Sequence, residues 1–248
     1  MDVLYEDDHL LAVNKSAGMV VHPSYKNVAG TLLDALRAYA YDWPDSQRPS
    51  IVGRLDKLTS GIVVVAKTAA VHAALQRKGA ASETEKDYLA VVYGRVKVAS
   101  GEIDLRLRHD PTDRRMIVAS AAEGAASQTQ FERLASIDAP EAGLSLLRCR
   151  LVTGRRHQIR VHLAASGWPI VGDPVYGEAR WSAIVDPALA DTLRTFARQA
   201  LHAWRVAFRH PITHEALRIE APLPRDFQDL LNVAGFRYGC DPRPAFNS

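Results

Sequence analysis

The chain of 248 residues and 27.3 kDa, with 47% hydrophobic residues, is long enough to fill the core of one large domain or two small ones. Its net charge of +3 and isoelectric point near 8.9 fit a nucleic-acid-binding protein and an ordinary enzyme equally well. Two widely separated cysteines, Cys149 and Cys240, exclude a disulfide framework and a CxxC zinc site, and they suit a protein of the reducing cytoplasm.

The amino-terminal residues carry no targeting or membrane signal. The segment MDVLYEDDHL is acidic where a signal peptide is basic, and no apolar run in the chain approaches the roughly eighteen residues of a membrane helix. We therefore expect a cytoplasmic protein that does not associate with membranes.

The first eighty residues predict a hairpin, a helix, a buried strand and a second helix. Residues 3–14 contain two short apolar runs around an acidic turn, which indicates a hairpin, and residues 15–23 follow as a loop. Behind a Thr31 cap, apolar residues recur at the spacing of an amphipathic helix. They are Leu32, Leu33, Leu36 and Tyr39 or Ala40. Residues 62–66 are apolar and rich in β-branched side chains, as in a central strand, and residues 68–78 predict a short helix.

The rest of the chain predicts strands joined by short turns. The strand-like segments are residues 88–98, 116–119, 127–136 and 144–153. Short connections between successive strands favour antiparallel pairing. Helices are expected at residues 157–166 and 225–235, each followed or closed by a glycine. We therefore predict a single α+β domain over residues 1–248, with a large mixed, mostly antiparallel sheet flanked by helices.

Most cofactor and metal motifs are absent from the sequence. It contains no GxGxxG, GxxxxGK[ST] or GxSxG motif, which argues against dinucleotide binding, P-loop chemistry and a hydrolase nucleophile. His157 and His162 are five residues apart, on different faces of a helix, and no carboxylate completes a metal site with them. We expect neither a metal nor a cofactor.

A basic run occupies residues 148–162, RCRLVTGRRHQIRVH, with five arginines, two histidines and no acid. Such a run is often only a solvated face of the protein. Here the arginines flank a strand, a Thr-Gly turn and a helix start, where backbone amides also point outward, so the run suits phosphate groups. It is compatible with RNA or another polyanion.

The segment GRLDKLTSG, residues 53–61, places an acid at the mouth of the predicted central strand. A carboxylate on such a rigid support can be held in a defined orientation and charge state, as a catalytic acid requires. The alternative is that Asp56 only organises a turn, through side-chain hydrogen bonds with Thr59 and Ser60.

This segment resembles the signature of the RluA-type pseudouridine synthases, in which Arg-Leu-Asp precedes Thr-Ser-Gly and an apolar strand that ends in Ala-Lys. Further segments resemble the family along almost the whole chain. They are VLYEDDHLLAVNKSAGMVVHP, KDYLAVVYG, TGRRHQIRVHLAASGWPIVGDPVYG at residues 153–177, LHAWRVAFRHP, and APLP at residues 221–224. The resemblance implies the pseudouridine synthase fold, with no accessory RNA-binding domain at the amino terminus of this chain.

Two positions depart from the family pattern. Gly53 stands where the RluA type usually has histidine, and Ser16 stands where its Lys-Pro-x-Gly loop has proline. Glycine before Arg-Leu-Asp resembles the related RsuA-type rRNA synthases, but the Thr-Ser-Gly and Ala-Lys elements and residues 153–177 resemble the RluA type.

The resemblance implies three catalytic residues. Asp56 is the carboxylate that acts as nucleophile or base while the glycosidic bond is broken. Tyr88 lies against the uracil and assists removal of its ring proton, the alternative being a strand tyrosine packed in the core. Arg160 pairs with Asp56 and stabilises its ionised form, the alternative being an arginine on a helix surface.

The same resemblance implies how the substrate is bound. Ile159 packs against the base, and Arg54 enters the space that a flipped uridine leaves in the RNA stack. The other residues expected to bind substrate are Arg155, Arg156, His157 and Gln158. The substrate is a uridine in a stem-loop or irregular helix of rRNA or tRNA, and the reaction, an isomerisation by a monomeric enzyme, needs no cofactor.

Two other classes of function compete with this interpretation. One is an RNA-binding module or assembly factor that keeps the fold without turnover. The other is a retaining glycosidase, which also places a carboxylate at a sugar carbon but needs a second acid that no motif marks here. The presence of Asp56, Tyr88 and Arg160 together favours the synthase.

Overall fold

A computed structural model describes residues 1–25, 27–80, 83–113, 115–120, 122–137 and 143–236. The chain divides into two compact units. The described residues of the first unit lie within Met1–Lys86 and Ala203–Pro222, and those of the second lie within Asp87–His202 and residues 223–236. That both belong to a single catalytic domain stays a prediction.

The described strands and helices are numbered along the chain. The strands are β1 Val3–Glu6, β2 Leu10–Lys15, β3 Ser50–Val52, β4 Ser60–Ala66, β5 Glu85–Tyr93, β6 Ser100–Asp104, β7 Leu107–His109, β8 Met116–Val118, β9 Gln128–Ile137, β10 Leu144–Leu151, β11 Leu201–Arg209 and β12 Ala216–Glu220. The helices are α1 Leu32–Tyr39, α2 Ala69–Ala80, α3 Gln158–Ala165, α4 Pro187–Thr195 and α5 Arg225–Val233, with a 3-10 turn at Trp181–Ala183.

The first unit is built around strand β4. The predicted hairpin is confirmed as β1 paired antiparallel with β2, and β2 pairs antiparallel with β4, so that Lys15 lies opposite Gly61. Strand β4 lies between β2 and β11 in the sheet and also pairs antiparallel with β3, and β12 pairs with β11. Its β-branched residues are mostly buried, which confirms the predicted central strand. One cluster of buried core residues in this unit contains Leu10, Ala12, Ile62, Ala66, Val71, Leu75, Val206, Phe208, Ile219 and Ala221.

Helix α1 begins where the sequence predicts. Thr31 caps it, because the Thr31 hydroxyl accepts from the Asp34 amide while the Asp34 carboxylate accepts from the Thr31 amide. Leu32 and Leu36 are buried, whereas Tyr39 is exposed and donates to Glu6 Oε2 at 2.6 Å. The amphipathic helix is thus confirmed, with a narrower buried face than the spacing suggests.

Gly61 allows β4 and β11 to approach each other closely. A Cβ atom at this position would lie 2.1 Å from the carbonyl oxygen and 2.8 Å from the amide nitrogen of Ala203, and φ is +114°. We expect Gly61→Ala to lower the free energy of unfolding by about 3 kcal/mol, because backbone atoms must move apart and a non-glycine residue must keep a strained φ. Chemical denaturation monitored by circular dichroism measures this change.

Gly53 offers a matched control for that substitution. Its φ is also positive, at +89°, but no atom lies within 4 Å of the position of a Cβ. Gly53→Ala is therefore expected to cost about 1 kcal/mol, from backbone strain alone. Equal losses in the two variants would show that the contact with Ala203 is unimportant for stability.

The second unit contains an antiparallel sheet of β5, β10, β9 and β6 in that order, and a separate β7–β8 hairpin. The prediction that the first of these strands runs to Val98 is wrong, because β5 ends at Tyr93 and Gly94 turns the chain with a φ of +102°. Helix α3 is confirmed and is followed by Gly167 with a φ of +81°. The predicted α+β fold with a large mixed, mostly antiparallel sheet is confirmed.

Candidate active site

Asp56 lies in an irregular loop of the first unit, directly before β4. The loop side chains alternate in burial: Arg54 is exposed, Leu55 is buried and Asp56 is half-buried. A main-chain turn closes at the end of this loop, where the Thr59 amide donates to Asp56 O at 3.1 Å. Thr59 is 2% exposed, so the chain that follows the acid is anchored in the core. That this loop serves as a rigid support for a catalytic acid stays a prediction.

The backbone conformation explains why glycine precedes Arg54 in this loop. Gly53 has a φ of +89°, in the left-handed region where glycine is favoured and a histidine would be strained. The departure from the RluA-type pattern at this position thus accompanies a backbone conformation that suits glycine, and space around it is open.

Arg160 belongs to the second unit, on helix α3, and is 4% exposed. Its guanidinium forms a two-pronged ion pair with Asp173, with Nε–Oδ2 at 2.7 Å and Nη2–Oδ1 at 2.8 Å. The alternative of an arginine on the helix surface is therefore wrong. Asp173 was not among the residues predicted for the site, although it lies in the GDPVYG part of the segment that resembles the family.

Asp173 is stabilised in its ionised form. Burial of the carboxyl group raises its pKa, but the hydrogen bonds and charge of Arg160 and the amides of Tyr176 and Val175 outweigh burial, so the pKa lies below its ordinary value. The Val175 amide donates to Asp173 Oδ1 at 2.9 Å, and the Tyr176 amide donates to the same oxygen at 3.0 Å. The Gly177 amide closes this turn by donating to Asp173 O at 3.1 Å. The position requires glycine, because a Cβ there would lie 2.3 Å from the same oxygen.

Tyr176 connects Arg160 with His157. The Tyr176 ring centroid lies 5.0 Å from the Arg160 guanidinium carbon, and its hydroxyl lies 2.9 Å from His157 Nδ1. The same hydroxyl accepts from the Met116 amide at 2.8 Å. His157 itself has a left-handed φ of 55° at the start of α3. The structure thus brings two predicted residues, Arg160 and His157, onto one tyrosine that sequence reasoning did not single out.

Gln158 organises the turn that carries the two neighbouring arginines. Its side-chain oxygen accepts from the Arg155 amide at 3.0 Å and from the Thr153 hydroxyl at 2.8 Å. Its side-chain nitrogen donates to Gln128 O and to Thr129 Oγ1, both at 2.9 Å. Because Gln158 is 2% exposed and its amide group makes four hydrogen bonds, it holds the turn against β9.

Three of the five arginines in the basic run are paired with acids from other elements. Arg148 pairs with Glu132, Arg150 pairs with Asp87 at 2.8 Å, and Arg160 pairs with Asp173. Burial also lowers the pKa of His162 to about 4, so this histidine is neutral near neutral pH. The positive charge of the basic run at residues 148–162 is therefore concentrated at the turn between β10 and α3.

Arg155 and Arg156 form that turn. Arg155 is exposed and its Nε donates to Ala126 O at 3.2 Å, whereas Arg156 is half-buried and its Nε has no hydrogen-bond partner among the described residues. No ion pair with an acid is formed by either side chain within the described chain. Both remain candidates for contacts with phosphate.

We expect Arg155→Ala and Arg156→Ala each to reduce the slope of log affinity for RNA against log salt by about 0.7–0.9, the loss of one phosphate contact. Filter binding over a salt series measures the slope. Arg194→Ala on α4 is the control, because Arg194 already pairs with Asp191 at 2.5 Å on an exposed helix face. Slopes unchanged from wild type in both turn variants would show that this turn is only a solvated surface.

Two further residues predicted for the site, Tyr88 and Ile159, lie on β5 and α3. Tyr88 is half-buried on β5, opposite Cys149 of β10, and Ile159 is 4% exposed on α3. Both belong to the second unit, as do Arg155, Arg156 and His157, whereas Arg54 and Asp56 belong to the first.

No metal or membrane signal accompanies this site. Among the described residues, no group of three or more histidines, cysteines or acids is arranged to hold a metal ion. None of the described helices has the length and apolar character required to cross a membrane.

The chain thus carries an acid on a loop before a buried strand and a basic turn before α3. Its residues 9–165 match the family model of RNA pseudouridylate synthases, so the chain belongs to this family of isomerases. Three bacterial relatives carry the name ribosomal large subunit pseudouridine synthase D. The protein of Xanthomonas campestris is 42% identical over 94% of this chain and 69% of its own length. Those of Nitrosomonas europaea and Pseudomonas aeruginosa are both 41% identical over 94% of this chain, and over 65% and 71% of their own lengths.

Solved structures show the same fold at lower sequence identity. Human RNA pseudouridylate synthase domain containing 4 superposes with a TM-score of 0.75 at 22% identity, over 94% of this chain and 93% of that one. Human RNA pseudouridylate synthase domain containing 1 has a TM-score of 0.68 at 23% identity, over 98% and 96%.

Proposed function

We propose that this protein converts specific uridines of large-subunit ribosomal RNA to pseudouridine, with Asp56 as the catalytic carboxylate. The observation that carries the proposal is the Arg-Leu-Asp loop, which holds a half-buried acid at the mouth of β4 in a chain of this family. The names of the relatives support ribosomal RNA as the substrate.

The proposed reaction is an isomerisation. The bond between the sugar C1′ and the uracil N1 breaks, the uracil turns, and a bond forms between C1′ and C5. C5 loses its proton and N1 gains one, so no atom is added from outside and no cofactor is needed. A carboxylate serves this sequence as nucleophile or base, and a shaped pocket keeps the detached uracil from escaping.

Each further residue is proposed to perform one task. Tyr88 lies against the uracil and takes part in removal of the C5 proton, since a tyrosine combines an aromatic face with a proton-transferring hydroxyl. Arg160 stabilises the ionised form of Asp56, and Ile159 packs on the base. Arg54, which is exposed beside the acid, stacks in the gap left by the flipped uridine.

The turn of Arg155 and Arg156 is proposed to bind phosphates of the RNA backbone. Its support is that neither arginine forms an ion pair with an acid among the described residues, while the three other arginines of the run are paired with acids. Gln158 and His157 contribute through the conformation of this turn, which their hydrogen bonds to Gln128, Thr129 and Tyr176 maintain.

The test uses purified protein and an unmodified transcript of bacterial large-subunit ribosomal RNA labelled with tritium at C5 of uridine. Release of tritium, followed by sequencing of the converted positions, measures conversion, and a chelator in the reaction tests independence from metal. We expect conversion at a few defined uridines. Conversion of a tRNA pool alone would show that tRNA, and not ribosomal RNA, is the substrate. Binding without any conversion would support an RNA-binding module instead.

A further inference from the structure

We propose that Tyr176 is a positioning residue that holds the basic turn before α3 and orients the side chain of Arg160, an inference that rests on the functions proposed for both. The basic turn is the turn formed by Arg155 and Arg156. Tyr176 is half-buried and lies in the second unit with these arginines. Its hydroxyl and its ring make different contacts, which indicate two separable tasks.

His157 follows the two arginines of the basic turn and has a strained backbone. Among the described residues other than glycine, only His157 and His214 have a positive φ, and that of His157 is 55°. Such a conformation is unfavourable for a residue with a side chain and persists only where surrounding contacts hold it. Because α3 starts directly after His157, this conformation sets the direction of the chain between the basic turn and the helix.

The Tyr176 hydroxyl provides a contact that holds this histidine. It lies 2.9 Å from His157 Nδ1, and the two rings pack edge to face with their centroids 5.7 Å apart. The hydroxyl also accepts from the Met116 amide of β8 at 2.8 Å, which fixes the position of the oxygen. Burial raises the pKa of Tyr176 above its ordinary value, so the hydroxyl keeps its proton and can donate it to His157 Nδ1. The tyrosine therefore joins the start of α3 to strand β8.

The ring of Tyr176 packs against helix α3. Its centroid lies 5.0 Å from the Arg160 guanidinium carbon, a distance at which the ring face attracts the cation. Asp173 accepts two hydrogen bonds from the same guanidinium, so the ring and the carboxylate together restrict the orientation of Arg160. The ring also packs on three buried apolar residues, Leu107, Met116 and Val161.

The first experiment compares Tyr176→Phe with wild type. Phenylalanine keeps the ring but removes the hydroxyl contacts with His157 and Met116. Because one hydrogen bond contributes a modest factor to an equilibrium, we expect the Kd for the ribosomal RNA transcript to rise by about 3- to 10-fold at a fixed salt concentration. The slope of log affinity against log salt should keep its wild-type value, since no phosphate contact is removed. Filter binding measures both quantities, and an unchanged Kd would overturn the proposal.

The double variant His157→Gly/Tyr176→Phe tests the reason for this loss. Glycine adopts a positive φ without strain, so in the His157→Gly background the basic turn no longer depends on the tyrosine hydroxyl. We expect Tyr176→Phe to leave the Kd almost unchanged in this background. A loss of affinity as large as that in the otherwise wild-type protein would show that Tyr176 does not act through His157 and would overturn the proposal.

Tyr93→Phe is the matched control for removal of a hydroxyl. Tyr93 is a tyrosine of the same unit, on β5, and is 1% exposed. This variant should keep the wild-type Kd and kcat. Equal losses of affinity in Tyr93→Phe and Tyr176→Phe would reveal a general effect of hydroxyl removal and would contradict a specific role of Tyr176.

Tyr176→Leu tests the role of the ring. It removes the aromatic face as well as the hydroxyl, so the Arg160 guanidinium loses one of the groups that restrict it. We expect kcat per folded molecule in the tritium-release assay to fall by about 5-fold relative to Tyr176→Phe, and equal kcat in the two variants would overturn the role toward Arg160. If Tyr176→Leu does not fold, Tyr176→Met replaces it, because methionine adapts to the space without an aromatic face.

The outcome separates this inference from the proposed function. Absence of conversion by the wild-type protein would refute the function. The NMR shifts of the His157 ring nitrogens, compared between wild type and Tyr176→Phe, would still decide whether the tyrosine hydroxyl bonds to this histidine. Shifts that differ support the inference, and identical shifts would overturn it.

Discussion

Asp56→Asn is expected to reduce conversion of uridine by at least about 10⁴-fold while the fold and the affinity for RNA stay nearly unchanged. Asparagine keeps the size of the side chain but lacks the anionic oxygen that attacks or accepts a proton. The turn that supports the residue uses the main-chain oxygen of Asp56, which the substitution preserves. The loss should therefore appear in kcat, with little change in KM.

Single-turnover tritium release with excess enzyme measures the chemical step, and filter binding measures affinity for the same transcript. Asp8→Asn provides a control, since Asp8 is an exposed acid in the β1–β2 turn of the same unit. Measurable turnover by Asp56→Asn, free of wild-type contamination, would remove Asp56 from the role of catalytic carboxylate.

Arg160→Ala is expected to cause the second large effect, a collapse of turnover together with a loss of stability. The substitution leaves the Asp173 carboxylate, whose side chain is 0% exposed, without the guanidinium that forms two hydrogen bonds with it. Removal of one partner from a buried ion pair costs about 3–5 kcal/mol. Turnover is expected to fall further than stability explains, because Arg160 is also proposed to stabilise ionised Asp56.

The stability loss should depend on pH in a defined direction. The pKa of Asp173 is lowered in the folded protein, so the pair stabilises the fold at pH values above the unfolded pKa of an aspartate, about 3.9. This contribution disappears as pH falls through the lower folded pKa. We therefore expect the difference in unfolding free energy between wild type and Arg160→Ala to be largest near neutral pH and to shrink in acid. Urea denaturation between pH 3 and 7 measures it.

Asp173→Asn separates the structural role of Arg160 from its catalytic role. This variant also breaks the charged pair, but it keeps the arginine, so it should lose stability while retaining more turnover per folded molecule than Arg160→Ala. Comparable turnover in the two variants, after correction for the folded fraction, would indicate that Arg160 acts only through the fold. A folded Arg160→Ala enzyme with wild-type turnover would show that the family role does not extend to this position.

Local patterns predict those elements whose own residues carry the signal. The β1–β2 hairpin, the Thr31 cap of α1 and the buried strand β4 follow from alternation, capping chemistry and β-branched runs within a few residues. Strand β11 illustrates the opposite case. Eight of its nine residues are buried. Because the buried residues include His202 and Arg205, which are polar, the hydrophobic pattern of the sequence does not identify this segment as a central strand.

The sequence by itself determined the α+β class, the family, and the position of an acid directly before a buried strand, because these are encoded in contiguous motifs. Only the tertiary structure decided which charges remain available in the basic run. Glu132, Asp87 and Asp173 neutralise three of its five arginines from 16, 63 and 13 residues away along the chain. It also decided that the Tyr176 hydroxyl reaches the Met116 amide across 60 residues. Pairing of charges depends on distance in space, and that distance is set when strands and helices from remote segments pack together.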